Sequence, residues 1–367
     1  MTELTRVPFL ELKPGTAELR AELDDAVARV LDSGWYLLGE ELPAFEAAWA
    51  ARAGAEHCAA VGSGLDALRF GLQAHGIGPG DEVLVPGHTF IATWLAVSAL
   101  GATPVPVDVD PVYHSLDPEA AAAAVTSRTA AILPVDLYGH PADLVALRAL
   151  AGRHGLLLFD DAAQAHGARL HGQPVATHAD GAAWSFYPGK NLGALGDAGA
   201  LTTNDPAVHA HVKRLRNYGS ERRYDHPEVG YNSRLDELQA AVLRVKLDAL
   251  EEWNARRRRI AARYQAELTN VTLPGVRPGA EPAWHLFVVR SDRRDALRAH
   301  LDAAGIDTLI HYPVPPHRQG AYAGTRAAEA RLPVTDAIAA SVLSLPIGPH
   351  MRADQVDRVI EAVTDFG

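Results

Sequence analysis

From residue 81 onward the chain alternates short apolar runs with helix-patterned segments, and this alternation limits the fold more than any other feature. The runs at 82–85, 103–109, 129–133 and 156–159 read as strands, and the segments at 89–100, 118–124 and 141–154 read as helices. A strand that returns through a helix comes back parallel to its predecessor, so the chain is expected to be α/β, with a mostly parallel sheet covered by helices on both faces. In such sheets ligands sit beyond the carboxyl ends of the strands. Upstream, 17–33 has helical apolar spacing and ends at Ser33-Gly34; a second helix at 41–53 and a strand at 56–61 follow. Downstream, 182–187 and 200–203 read as strands, 206–218 as a helix, and 234–269 as one long helix. From Pro274 the texture changes to a strand at 284–289 and helices at 294–304 and 352–364. This sets a large unit at 1–250 and a smaller α+β unit at 251–367, with the N-terminal helix able to pack on the smaller one.

Three loops carry chemistry-bearing residues. The strand at 182–187 breaks at Pro188-Gly189 and delivers Lys190 into a glycine-rich turn. A lysine held at a strand end can be partly desolvated, which lowers its pKa and frees the amine as a nucleophile. Gly62-Ser63-Gly64 joins a strand to a helix start, where free backbone N–H groups can cradle a phosphate; it lacks the Gly-Lys-Ser/Thr ending of a P-loop and could also be simple punctuation. Asp160 and Asp161 end an apolar strand, where carboxylates are expensive unless paired or used. A helix cap accounts for one of them, and a metal site with His166 is a weaker option because no second ligand cluster stands out.

The bulk numbers remove some classes. A net charge of −11 argues against a general nucleic-acid surface. The one cysteine, Cys58, excludes an internal disulfide and a thiolate metal cage, and suits a reducing cytoplasm. No cationic start with an apolar run marks a signal peptide, and no apolar run is long enough for a bilayer, so no membrane partner is expected.

Taken in order, Gly62-Ser63-Gly64, Phe90, the Asp161…Gln164 pair and Lys190 supply what a phosphorylated aromatic aldehyde requires: amides and a hydroxyl for the phosphate, a flat side chain for the ring, a carboxylate for the ring nitrogen, and an amine for the Schiff base. That is the requirement set of pyridoxal 5'-phosphate.

The chain resembles the DegT/DnrJ/EryC1/StrS family of sugar aminotransferases over nearly its whole length. The resemblance is carried by Gly62-Ser-Gly-Leu-Asp-Ala-Leu68, Pro86-Gly-His-Thr-Phe-Ile-Ala-Thr93, Asp161-Ala-Ala-Gln-Ala-His-Gly167, Ser185-Phe-Tyr-Pro-Gly-Lys-Asn-Leu192, Tyr231-Asn-Ser-Arg-Leu-Asp-Glu-Leu-Gln-Ala-Ala241 and His311-Tyr-Pro. It implies the fold-type-I architecture, a seven-stranded-type sheet with a smaller C-terminal unit, and pyridoxal phosphate as cofactor. By the same resemblance Lys190 is the Schiff-base lysine and proton shuttle. Asp161 is the carboxylate on the ring nitrogen, chosen over Asp160 because Ala-Ala-Gln follows it directly. Gln164 lies near the cofactor's 3-oxygen, Phe90 stacks on its ring, and Ser63, Gly64 and Ser185 hold its phosphate. Asn232 matches an asparagine that reaches the phosphate from the other subunit, which implies a homodimer with a shared active site.

The loop from Phe186 to Asp197 resembles the branch that aminates C3 of dTDP-linked keto 6-deoxyhexoses; the C4 branch more often carries a His-Pro-Thr-Lys loop. Ala198 departs from the glycine expected in many relatives. The implied reaction moves an amino group from L-glutamate, leaving 2-oxoglutarate, to a nucleotide-linked keto sugar. Tyr187, Arg222, Tyr224, Tyr312 and His317, with Arg223 and His226, are candidates for substrate contacts. A C4 aminotransferase, an aminocyclitol or aminobenzoate synthase, and a non-catalytic cofactor-binding regulator share much of this pattern. A dehydratase of the same fold would carry histidine where this chain keeps Lys190.

Overall fold

A computed structural model describes residues 6–367. Helices α1 (Lys13–Glu18), α2 (Arg20–Ser33) and α3 (Glu41–Ala53) lead into β1 (His57–Val61) and α4 (Gly64–Ala74). The expected alternation follows as β2 (Glu82–Pro86), α5 (Ala92–Ser98), β3 (Thr103–Val107), α6 (Pro118–Ala124), β4 (Thr129–Ile132), α7 (Leu144–His154) and β5 (Leu157–Asp161). A small hairpin, β6 (Arg169–Leu170) and β7 (Gln173–Pro174), precedes β8 (Gly181–Ser185), β9 (Gly199–Thr203) and α8 (Pro206–Leu215). The long helix α9 (Glu237–Glu267) ends the first layer of structure; β10 (Ala280–Glu281) joins the small hairpin. Then come β11 (Phe287–Arg290), α10 (Arg294–Ala303), α11 (Pro333–Ser341), β12 (Val342–Leu345) and α12 (Ala353–Thr364).

Seven strands form one sheet in the order β1-β9-β8-β5-β4-β2-β3. Every neighbouring pair is parallel except those made by β9, which runs antiparallel to β1 and to β8. The strands read as unbroken apolar runs because both faces are covered. Successive residues alternate between two cores: Ala60, Leu84, Ile132 and Leu158 face α3, α7 and α9, whereas Val61, Val85, Ala131 and Phe159 face α4, α5 and α8. A third core joins the second half of α9 to β11, β12, α10 and α12 through Tyr264, Phe287, Leu301, Leu343 and Val359, and takes in Val7. It is therefore the extended segment at Val7, bridged to Ile306, that docks there, while α2 packs through Ala26 and Val30 on the first half of α9.

Several boundaries move for local reasons. The helix expected at 17–33 is two helices, broken at Leu19, the first of them opening with a proline in its first turn. Strand β5 runs through both aspartates instead of stopping at Phe159. Neither α11 nor β12 was anticipated: the strand follows the helix with no turn residue between them and is defined by its pairing with β11. Among the described residues no helix is long and apolar enough to cross a membrane.

Because β9 is antiparallel, the loop between β8 and β9 turns at the carboxyl edge of the sheet, beside the ends of β1 and β5. The approach there is backbone to backbone. A Cβ on Gly199 would stand 2.3 Å from the Ser63 carbonyl carbon, and a Cβ on Gly64 would stand 2.6 Å from the Ser185 Cβ. Gly199→Ala is expected to cost about 2–4 kcal/mol of stability, because the clash is with main chain and not with a movable side-chain tip. Chemical denaturation would measure this, and a loss below half a kcal/mol would show that the edge is looser than described.

Candidate active site

The site is assembled from the carboxyl ends of β1, β5 and β8. After β1, Ser63 takes an extended conformation and caps α4, its hydroxyl accepting from the Asp66 amide at 3.1 Å. The amides of Gly64 and Leu65 lie in the first turn, where no carbonyl of the helix can serve them. The glycine lets Ser185, at the end of β8, close against this turn, so Ser63, Gly64 and Ser185 form one concave edge. Ser233 braces it from outside, accepting from the Gly62 amide at 3.0 Å and donating to Asp66 at 2.7 Å. Donors around a space that a Cβ would fill suit a phosphate group.

Asp161 ends β5 and is buried. One carboxylate oxygen accepts from the Thr93 hydroxyl at 2.8 Å and the other from the Ala163 amide at 3.2 Å. Burial raises its pKa, while these two donors and the nearby Lys190 amine oppose the rise. Lys190 is half-buried in the turn after Pro188-Gly189, its amide donating to the Tyr187 carbonyl at 2.8 Å. Loss of hydration lowers the lysine to about 8, with Asp161 pulling it back up. Three histidines near it, His166, His285 and His311, are held well below the usual imidazole range, chiefly by burial and further by the lysine charge. The amine is thus flanked by neutral rings and one carboxylate.

The remaining wall is aromatic and amide. Gln164 accepts from the Tyr138 amide and donates to the Tyr312 hydroxyl at 3.2 Å. Tyr312 in turn lies 5.5 Å from Phe90, ring centre to ring centre, and Phe90 is 53 % exposed. An aromatic left that open at the mouth of a site, beside a buried carboxylate and a half-buried amine, presents a flat face to a ring. The residues present therefore fit pyridoxal phosphate: a phosphate edge, an amine of lowered pKa, a carboxylate fixed by two donors, and an open aromatic face.

The structure does not gather every residue expected of the site. Tyr187 is largely exposed, on the outer side of the Gly189 turn. Arg222, Arg223, Tyr224 and His226 stay in the loop at 219–230: Arg222 bridges to Asp225, Arg223 lies over the Tyr224 ring, and His226 contacts the Tyr218 carbonyl. Asn232 is exposed and bridges to Asn217. His317 is only 1 % exposed, with Nε2 3.2 Å from Asp336, so the expectation that it lines a sugar pocket gives way to a structural role.

Two features lay outside the sequence reading. Asn191, next to the lysine, is buried and donates to the Asn254 side chain at 2.9 Å and the Ala283 carbonyl at 2.8 Å, while Asn254 donates to the His166 carbonyl at 2.7 Å. This lattice fixes the lysine turn to α9. Its only trace in the sequence is an asparagine inside the apolar pattern of that helix. The second is a carboxyl pair. Asp160 points to the opposite face of β5 from Asp161 and lies beside Asp136; both are fully buried, and neither Asp160 oxygen meets a protein donor. Burial, with the charges of Asp136 and Asp161, holds Asp160 protonated; burial also raises Asp136 to about 7, against the Ala142 amide and the bond to Asp160 that oppose the rise.

Two outcomes follow from this electrostatic arrangement. In cofactor-free protein, the pH midpoint for acylation of Lys190 should lie near 8 and fall further in Asp161→Asn, since Asp161 raises it; a midpoint at the ordinary lysine value would refute the desolvation argument. For the pair, a folded-state pKa above the unfolded one means stability that is complete below about pH 4 and is lost as pH rises toward about 7. Melting temperatures across that window should fall less in Asp160→Asn than in the wild type, and parallel curves would exclude the shared proton.

With this geometry in view, comparison with known proteins is direct. Residues 17–364 match the model of the DegT/DnrJ/EryC1/StrS aminotransferase family. The chain is 57 % identical to a dTDP-3-amino-3,4,6-trideoxy-alpha-D-glucose transaminase of Streptomyces venezuelae, over 99 % of this chain and 97 % of the relative. It is 58 % identical to the erythromycin biosynthesis sensory transduction protein EryC1 of Saccharopolyspora erythraea, over 96 % and 98 %. The crystal structure of S. venezuelae DesV in complex with a ketimine intermediate superposes with a TM-score of 0.97 at 56 % identity, covering 99 % of both chains.

Proposed function

The chain belongs to the DegT/DnrJ/EryC1/StrS aminotransferase family, and we propose that it is a pyridoxal-phosphate-dependent enzyme that moves an amino group from L-glutamate to C3 of a dTDP-linked keto 6-deoxyhexose, in deoxyamino sugar biosynthesis. The observation that carries this reading is full-length identity of 57 % to a transaminase whose name specifies a dTDP-3-amino sugar, joined to the Phe186–Asp197 loop already read as the C3 type.

Each site residue has a part in this reading. The edge formed by Ser63, Gly64 and Ser185 binds the cofactor's phosphate, and Phe90 lies against its ring. When bound, pyridoxal phosphate supplies an aldehyde carbon for amines and a ring that accepts the electron pair left by a departing proton. Asp161, fixed by Thr93 and the Ala163 amide, would hold a proton on the nitrogen of a bound ring. The Lys190 amine, of lowered pKa, would accept and give back protons at Nζ beside the bound cofactor and amino donor. Gln164 and Tyr312 orient the groups between the ring and the mouth of the site. Neutral His166, His285 and His311 leave Lys190 as the one basic group able to move between charge states there.

A homodimer completes the proposal. The exposed run Trp35, Tyr36, Leu37 and Leu38 offers an apolar contact, and the outward position of Asn232, with Arg222 and Tyr224, suits delivery to a partner's site. A buried single cysteine and the absence of a membrane-crossing helix among the described residues fit a cytoplasmic enzyme.

Adding L-glutamate to the loaded protein should convert the absorbance of the bound cofactor, and adding a dTDP-linked 3-keto sugar should restore it. A binding or regulatory protein would show neither change, and restoration only by a 4-keto sugar would move the assignment to C4. Lys190→Ala should reduce turnover by about four orders of magnitude or more, since it removes nucleophile and proton carrier together; transamination surviving at a tenth of the wild-type rate would sink the role given to this lysine.

A further inference from the structure

Behind the lysine turn lies a cavity of about 240 Å³ between the N-terminal segment, α9 and the Pro349-His350 loop. It touches Lys190 and its loop but none of Ser63, Phe90, Asp161, Gln164 or Ser185, so it is separate from the cofactor edge. Two cationic side chains of α9 line it, Lys246 and Arg257.

Among the described residues neither has an acidic partner. Lys246 is 9 % exposed, and its amine makes a single bond, to the Gly193 carbonyl at 2.7 Å. Arg257 is 3 % exposed and donates only through Nη1, to the carbonyls of Trp284, His285 and Ile347. Its Nε is buried without a partner. Elsewhere α9 neutralises its cations: Arg244, Arg256, Arg258, Arg259 and Arg263 all meet carboxylates. Two buried charges left without counter-ions, on one wall of a hollow, are costly unless an anion arrives. Burial lowers the pKa of both, as an uncompensated cation requires. The other charged groups facing the space are Lys190, the exposed Glu11, and His350, which is already engaged by Glu18.

The spacing narrows the ligand. Eleven residues place Lys246 and Arg257 on the same face of α9, about 16 Å apart along its axis, with Trp253 between them on the cavity wall. Two separate cations with an aromatic surface between them suit a ligand with two anionic ends. We infer that the cavity behind the lysine turn is a second ligand site, which takes a short-chain dicarboxylate with one carboxylate on Lys246 and the other on Arg257. An anion on Lys246 competes with the Gly193 carbonyl for that amine, so occupancy reaches the lysine turn from its rear. The inference is independent of which amino donor or sugar the enzyme uses.

The test uses the cofactor-loaded, full-length protein and glutarate, a dicarboxylate with no amino or keto group to exchange. Titration calorimetry should show glutarate binding, with butyrate and inorganic phosphate weaker by about tenfold or more, and Lys246→Met weakening glutarate by a similar factor. Lys246→Arg should restore most of the affinity, which a variant that merely disturbs the fold would not do. Equal binding of phosphate would overturn the two-carboxylate assignment. Glutarate binding that survives Lys246→Met would place the ligand in the cofactor site and overturn the inference, as would no binding at all. Failure here leaves the glutamate half-reaction untouched, so the two readings fail separately.

Discussion

The contact on which the site depends is the meeting of main chains where Gly199 lies against the Ser63 carbonyl and Gly64 against Ser185. It exists because β9 enters the sheet antiparallel between β1 and β8. A parallel strand there would have carried its incoming loop to the far edge, and Lys190 with it. The single reversed strand instead folds the lysine back over the ends of β5 and β8, within reach of Asp161. Side chains at either glycine would force the strands apart, so the absence of two Cβ atoms sets the distance between phosphate edge and amine.

Electrostatics then divides two adjacent carboxylates. Asp160 and Asp161 follow one another in β5 and so point to opposite faces. Asp161 finds a hydroxyl and an amide, both of which favour its charged form. Asp160 finds another buried carboxyl and no donor, and stays protonated. The same strand end thus provides one charge available to a ligand and one that is suppressed, with no change of residue type.

Much of this was legible from the sequence where one local signal sufficed. The alternation from residue 81 fixed the parallel sheet, because apolar runs covered on both faces look different from half-exposed ones. Lys190, Asp161, Gln164 and Phe90 stood in motifs with defined spacing, and the structure brings them to one edge. What remained hidden depends on partners far along the chain. Asn191 is anchored by a residue on α9; Asp160 is neutral because of burial and the neighbouring Asp136, in the loop after β4; β12 is a strand because β11 lies beside it. For His317 the sequence left a pocket role and a structural role in a proline-rich loop equally open, and here Asp336 and the packing around it close the ring off. The break at Leu19 is a matter of one residue's backbone angles, which apolar periodicity does not register.

The helix α9 has a mechanical consequence. It is a rod of 31 residues, about 46 Å long, whose first half lies under the sheet and whose second half is embedded in the core around Tyr264. Asn254 and Lys246 pin the turn that carries the amine to this rod, through the Asn191 side chain and the Gly193 carbonyl. Any tilt of the C-terminal core is therefore a displacement of the reactive nitrogen, transmitted along a lever with no soft joint. Fraying in that distant core should register first as a loosened nucleophile, before the sheet itself begins to open.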